Sequence, residues 1–257
     1  MTSPVPIDVT ELTAKVKGMY QAVAEKPHDA YHFEMGRDLA DRLGYPAGVL
    51  DQVPLEAVES FAGVGYFFDL AQLVEGEQVL DLGSGSGMDA FFAAVQVGPQ
   101  GHVHGIDMTE QQLAKAERLR AEAGSASTTF TPGRIEELPY DDASFDAVIS
   151  NGVINLAPDK GRVFREAARV LRPGGRMVLA DIVTETMLTD GIVGNVDLWA
   201  SCIGGAFQQD RYQDAMSAAG LRVEVMRTNP YEFLSEQARG ASERFGVKSV
   251  CVLARKT

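Results

Sequence analysis

The segment that most constrains this chain is Val79-Leu80-Asp81-Leu82-Gly83-Ser84-Gly85-Ser86-Gly87, followed by Met88 to Val97. A short apolar strand runs into a glycine-rich turn, and a helix-like pattern opens directly after it. Glycines at such a turn let the backbone approach a ligand and present amide donors at a helix N-terminus. A second strand, His102 to Ile106, ends in Gly105-Ile106-Asp107-Met108 and places a carboxylate about twenty residues after the last glycine. At a strand terminus, Asp107 can accept both hydrogen bonds of a ribose diol. Together the two features predict a nucleoside site on a strand–turn–helix–strand unit.

The rest of the chain fits that unit into a larger alternation. A helix is expected over Glu110 to Ala123, a helix over Lys160 to Leu171, and strands at Thr128 to Thr131, Ala147 to Ser150 and Arg176 to Val183. Arg172-Pro173-Gly174-Gly175 reads as the turn before the last of these strands. Further on come a helix over Ile192 to Ala200, a helix over Arg211 to Ala219, a strand at Val223 to Val225, a helix over Phe233 to Ser242 and a last strand at Ser249 to Ala254. Alternating strands and helices predict an α/β fold with a doubly wound, mostly parallel sheet. Residues 1–74 are different, with Val9, Leu12, Val16 and Met19 at helical spacing and a second helical pattern from Phe33 to Leu43. We expect an N-terminal helical cap over 1–74, with a bent connection around Ser60 to Gly65. A core over 75–257 follows, with an insertion near 185–210.

Composition narrows the ligand. The 36 acidic residues outnumber the 23 basic ones, a formal charge of −13 that disfavours nucleic acid as a partner. No apolar run approaches the roughly 20 residues of a membrane helix, and Met1 to Pro6 lack the basic and apolar parts of a secretory signal, so no membrane partner and a cytoplasmic location are expected. The two cysteines, Cys202 and Cys251, make a disulfide framework or structural zinc site implausible, and no metal is expected.

Asp81, just before the glycines, would place negative charge close to a pyrophosphate but would suit an ammonium group. S-adenosylmethionine carries an ammonium and a sulfonium, so the acidic turn favours it. Asp81 to Gly87, Asp107-Met108, Arg134-Ile135-Glu136, Asn151 and Leu171-Arg172-Pro173-Gly174-Gly175 resemble, in order, the motifs of class I S-adenosylmethionine-dependent methyltransferases. The blocks Ile135 to Pro139 and Ser150-Asn151-Gly152-Val153-Ile154-Asn155-Leu156-Ala157-Pro158-Asp159-Lys160 are similar to those of the arsenite methyltransferase family. The resemblance covers about residues 60 to 205 and implies a seven-stranded sheet with S-adenosyl-L-methionine as cofactor. It implies Asp81, Gly83, Ser84, Gly85 and Gly87 at the methionine end, Asp107 on the ribose and Met108 against adenine. Ile135 and Glu136 would lie near the adenine ring, and Asn151 and Val153 near the methionine part.

The same resemblance is incomplete where the family holds arsenic. Its members use cysteine thiolates, soft donors for a soft ion. This chain has Ala62-Gly63-Val64-Gly65 where one such cysteine stands and Gly152 where another does; only Cys202 falls at a family substrate cysteine. A small soft nucleophile, sulfide or a thiol, is therefore the expected methyl acceptor, since a thiol is partly thiolate near neutral pH. Arsenite itself, and an oxygen, nitrogen or carbon acceptor needing a general base, are the alternatives. A non-catalytic S-adenosylmethionine sensor is the reading from another class. Candidate catalytic residues are Tyr20, His32 and Asn155, with His28 a further possible base; Tyr31, Tyr66, Trp199 and Cys202 are candidates for the acceptor site.

Overall fold

A computed structural model describes residues 7–200 and 202–257. Met1 to Pro6, whose composition entered the localisation argument, and Ser201 lie outside the described residues. The chain opens with helix α1 (Val9–Glu25), started by Asp8, whose carboxylate accepts from the amides of Thr10 and Glu11. Of its expected face, Leu12 and Val16 are buried and Met19 is half-buried, while Val9 is exposed at the first turn and Val23 is buried in its place. Helix α2 (Gly36–Leu43) ends at Gly44, whose φ of 98° is the left-handed stop that glycine favours. Three helices of four or five residues follow: α3 (Ala47–Leu50), α4 (Leu55–Glu59) and α5 (Phe68–Ala71). Helices this short carry little more than one period, so the sequence shows there only the prolines and glycines of a bent connection.

The core alternates as expected. Strand β1 (Gln78–Leu82), helix α6 (Met88–Val97), strand β2 (His102–Asp107), helix α7 (Glu110–Glu122) and strands β3 (Thr128–Pro132) and β4 (Phe145–Asn151) are followed by a 3₁₀ turn at Ile154–Leu156. Then come helix α8 (Lys160–Val170), strand β5 (Leu171–Thr184), helices α9 (Asp190–Val193) and α10 (Val196–Ala200), strand β6 (Phe207–Gln208), helix α11 (Gln209–Ala218), strand β7 (Leu221–Thr228), helix α12 (Glu236–Phe245) and strand β8 (Lys248–Lys256). The main path of the sheet is β3-β2-β1-β4-β5-β8-β7, with the two-residue β6 pairing beside β5. Pairing is parallel except along β8, which is antiparallel to both neighbours. The sheet is thus the expected seven-stranded one with one two-residue addition.

Two readings are corrected. Arg172 to Gly175 do not form a turn ahead of a strand but lie within β5, where the register jumps from Phe145 opposite Leu171 to Ala147 opposite Arg176. Glycines at 174 and 175 accommodate this bulge, Gly174 at a φ of 75°. The expected helix over 192–200 is two short helices, because the chain breaks at Gly194-Asn195 and the Asn195 side chain accepts from the amides of Asp197 and Leu198 to start α10.

One face of the sheet packs against α6 and the segment carrying α2 to α5, with Phe67 and Phe92 fully buried. The other face packs against α8 and α11 around Phe164 and Tyr212. Each such side chain contributes about 1.5–3 kcal/mol by leaving water. A small third cluster of Leu12, Val16, Leu156 and Trp199 ties α1 and α10 to the 3₁₀ turn, above the C-terminal ends of β1, β4 and β5. Ligands of open α/β sheets bind at that end.

Candidate active site

A cavity of about 1100 Å³, including its open mouth, lies at the C-terminal ends of β1, β2 and β4 beneath α1. Its floor is the turn after β1, where Gly83 and Gly85 hold φ values of 71° and 53°. A side chain at Gly83 would collide with Val153, which closes directly over the turn. Asp81, Gly83, Ser84, Gly85, Asp107, Met108, Ile135, Glu136, Asn151 and Val153 all line this cavity. Gly87 does not: it caps α6 with a φ of 94°, packed so closely on Phe130 and Phe91 that no side chain would fit.

Four carboxylates line this space, of which Glu136 is paired with Arg134 (3.0 Å). Asp107 accepts from the amides of Gly85 (3.0 Å) and Thr109 (2.8 Å), leaving lone pairs on both oxygens for a ligand. Asp89 accepts from the Tyr45 hydroxyl (2.6 Å) and the Asn151 amide (2.9 Å). Asp81 has one carboxylate oxygen buried with no hydrogen-bond partner, and so does the nearby Ser84 hydroxyl. Burial pushes the Asp81 carboxyl well above its usual range, with Asp89 and Asp107 adding to the effect. Burial likewise raises Asp107, against the pull of its amide donors, and brings Asp89 up to about 6. Unpaired buried acids call for a positive partner. S-adenosylmethionine fits on this ground: its ammonium and sulfonium would answer the acids, the orphaned oxygens of Asp81 and Ser84 would gain partners, and the positive-φ glycines leave room for its backbone-like end.

Asn151 also holds the wall. Its Oδ1 accepts from the Val64 amide (2.7 Å), and its amide donates toward the Gly65 carbonyl (3.0 Å). The Ala62 to Gly65 segment is thereby fixed against the sheet. Gln112, which the sequence reading missed, sits beneath α1. It donates to the Tyr20 carbonyl (2.9 Å) and accepts from the Ser86 hydroxyl, joining α1 to the glycine turn.

A second, smaller cavity of about 400 Å³, again including its open mouth, adjoins the first through Tyr20 and Ala62, which line both. Its remaining walls are His32, Phe33, Val64, Gly152, Cys202, Tyr231, Phe233 and Ala238. The three places where the resemblance puts thiolates therefore meet here, but as an Ala62–Val64 stretch, a glycine and one cysteine. Cys202 adopts a left-handed backbone, φ 63°, uncommon for a non-glycine residue. Asn155 donates to its carbonyl (3.2 Å), and Gly205 packs against the Asn155 carbonyl where no side chain would fit. Burial lifts the Cys202 thiol to about 11 and keeps the Tyr20 phenol protonated, while it lowers His32, whose Nε2 is buried without a partner.

Four candidates stand outside both cavities. Asn155 is fully buried behind the wall as the brace of Cys202. Tyr31 donates to the Lys26 carbonyl (2.9 Å) and stacks on the outer side of Phe33. Tyr66 packs edge-on against Tyr45 and Phe92 in the core beneath the cap. Trp199 donates to the Val193 carbonyl (2.6 Å) and lies under the Lys160 ammonium, 4.8 Å from the ring centre. His28 is exposed beside Glu59. Among the described residues no cluster of three or more histidine, cysteine or acidic side chains could hold a metal ion, and no helix is long and apolar enough to cross a membrane.

Comparison with known proteins gives the same picture. A family model described as a methyltransferase domain matches residues 73–220. The arsenite methyltransferase of Halobacterium salinarum is 40% identical over 199 residues, 77% of this chain and 51% of the relative. That of Aquipseudomonas alcaligenes is 41% identical over 172 residues, 64% of this chain and 49% of the relative. The chain thus spans about half the length of these relatives. An arsenic (III) S-adenosylmethionine methyltransferase from Chlamydomonas reinhardtii superposes with a TM-score of 0.63 at 31% identity, covering 87% of this chain and 74% of that one. Geranyl diphosphate C-methyltransferase from Streptomyces coelicolor shares the fold, with a TM-score of 0.71 at 17% identity over 98% of this chain and 100% of that one.

Proposed function

The chain belongs to the class I S-adenosylmethionine-dependent methyltransferases, close to the arsenite methyltransferases, and from that membership we propose that it methylates a small molecule seated in the smaller cavity. The observation that carries this reading is the junction at Tyr20 and Ala62, where the acid-lined cavity opens onto a compact apolar one. The cofactor, when bound, supplies a methyl group on a sulfonium. The chain's own contribution is to hold donor and acceptor in line and to exclude water, which by itself accounts for much of the rate of such a reaction. Asp107 and Asp81 bind, Val153 and Tyr20 enclose, and the Asn151-braced segment separates the two spaces.

The acceptor favoured is a soft nucleophile, sulfide or a thiol. A single thiol on the wall cannot chelate trivalent arsenic, and the positions of two further thiolates hold small or apolar groups. Arsenite is the second reading, supported by Cys202 at the wall and by relatives about 40% identical that carry that name. The test offers purified protein sulfide, short alkyl and aryl thiols, and arsenite with and without thiol, and follows S-adenosylhomocysteine release. Release with thiol alone supports the first acceptor. Release that requires arsenite supports the second, and silence with every acceptor despite bound cofactor contradicts the function.

A further inference from the structure

Resting on the methyltransferase reading above, we infer that the acceptor is an uncharged thiol carried on a compact apolar body, and that His32 Nε2 takes its proton as the methyl is transferred. Four groups on the cavity wall can titrate, from different parts of the chain: Tyr20 on α1, His32 ahead of α2, Cys202 after α10 and Tyr231 ahead of α12. At neutral pH all four are uncharged. Burial raises both phenols and the Cys202 thiol, and burial alone lowers His32. The charges that reach them lie outside the wall: Arg42, paired with Glu34, acts on Tyr231, Asp107 and Asp181 act on Tyr20, and Asp181 acts on Cys202. A charged acceptor entering this space would lose its hydration and meet no charged side chain on the wall, only the sulfonium of the donor. An uncharged one gives up far less hydration, and the rings of Phe33, Tyr231 and Phe233 offer it apolar and aromatic contact.

Methylation of a neutral S–H leaves a proton to place. His32 Nε2 is the buried side-chain atom on this wall with no hydrogen-bond partner, so in the tautomer protonated on Nδ1 it can accept one without breaking a native hydrogen bond. A sulfur lone pair of the acceptor forms the new carbon–sulfur bond, the pair of the broken bond stays on the donor sulfur as S-adenosylhomocysteine, and the acceptor proton passes to Nε2.

Acidity selects sulfur among protic acceptors. Taking ordinary values, moving a proton from a thiol (about 8.5) to an imidazole (about 6.5) is uphill by about a hundredfold. From a phenol (about 10) it is roughly three-thousandfold. From an aliphatic hydroxyl resembling water (about 15.7) it is about a billionfold. Lowering His32 widens every gap equally and leaves the order unchanged. Inorganic sulfide is acidic enough but has no body to fill the aromatic walls.

The test compares phenylmethanethiol, an alkyl thiol with an aromatic body, with sulfide in wild type, His32→Gln and Phe233→Ala, and separately measures calorimetric binding of benzyl methyl sulfide to the protein loaded with S-adenosylhomocysteine. Wild type is expected to prefer phenylmethanethiol over sulfide by tenfold or more in kcat/KM and to bind the thioether. His32→Gln is expected to lose at least tenfold in kcat/KM for phenylmethanethiol at pH 6, a loss that shrinks toward pH 9 as the thiol ionises by itself, with thioether binding retained. Phe233→Ala is expected to lower kcat/KM for phenylmethanethiol by tenfold or more, a larger fall than it causes for sulfide. Equal activity of His32→Gln and wild type at pH 6, or a loss that does not change with pH, overturns the role of His32. Absence of thioether binding, or equal use of the two thiols by wild type, overturns the apolar acceptor. Absence of turnover with every acceptor, in protein that still binds S-adenosylhomocysteine, overturns the underlying methyltransferase reading instead.

Discussion

Asp81, Asp89 and Asp107, on one cavity, set the energetics at the scale of single residues. Asp89 titrates near 6 in the folded chain against 3.8 for a free aspartate. Its folded form holds the proton more tightly, so the protein without ligand loses stability as pH rises from about 4 through 6. A difference of that size between folded and unfolded chain amounts to about 3 kcal/mol for this fully buried group. A cationic ligand reverses the trend, because it favours ionised Asp81 and Asp89. The rise in melting temperature produced by S-adenosylmethionine is therefore expected to be larger at pH 7.5 than at pH 5; an equal or smaller rise at pH 7.5 argues against an ammonium beside these acids. Removing the ribose acceptor by Asp107→Ala is expected to weaken S-adenosylhomocysteine binding by tenfold or more in calorimetry, in line with about 1.5–3 kcal/mol for a hydrogen bond to a charged group. Unchanged affinity contradicts the assignment. Asp81 and Asp107 were legible in the sequence because a strand end and a glycine turn are local features. Asp89 left a fainter signal, an acid inside the apolar run Met88 to Val97, while the convergence of Ala62, Gly152 and Cys202 on one wall is a product of the fold.

Elements decide how the two cavities are joined. Helix α1 covers the larger cavity, and it is held from below by Gln112 and by Lys115, whose ammonium bonds the Ser60 hydroxyl (2.8 Å) and the Ala24 carbonyl (3.3 Å). On the acceptor side, α10 and β6 are gathered by Lys160. Its buried ammonium donates to the Ala157 carbonyl (2.9 Å) and lies over the Trp199 and Phe207 rings. Gln112→Met keeps the bulk but severs the link between Ser86 and Tyr20. It is expected to cost about 1–3 kcal/mol in stability, the range for stranded buried partners, and to raise KM for the acceptor more than it changes kcat. An unchanged KM removes Gln112 from the positioning of α1. Strands and long helices were readable because their periodicity spans several residues. The four- and five-residue helices, the split at Gly194-Asn195 and the bulge inside β5 were not, since each is fixed by caps and neighbours rather than by pattern. Tyr31, Tyr66 and Trp199 show the same limit: an aromatic side chain announces burial but not which face of its element meets the ligand.

At the scale of the molecule, the fold is shared with methyltransferases of different acceptors, so fold alone does not choose among substrates. The wall of the smaller cavity carries Ala62, Gly152, aromatic rings and one cysteine, Cys202. Cys202→Ser is accordingly expected to leave methylation of a non-arsenical acceptor within a few-fold of wild type, and complete loss would return the chemistry to that thiol. The most direct test of the account fills the smaller cavity alone. Ala238 lines only that space, and Ala238→Phe is expected to reduce S-adenosylhomocysteine release by tenfold or more while its affinity for S-adenosylhomocysteine, measured by calorimetry, stays within about twofold of wild type. Full turnover in that variant, with the cofactor affinity intact, would contradict the claim that the acceptor sits there.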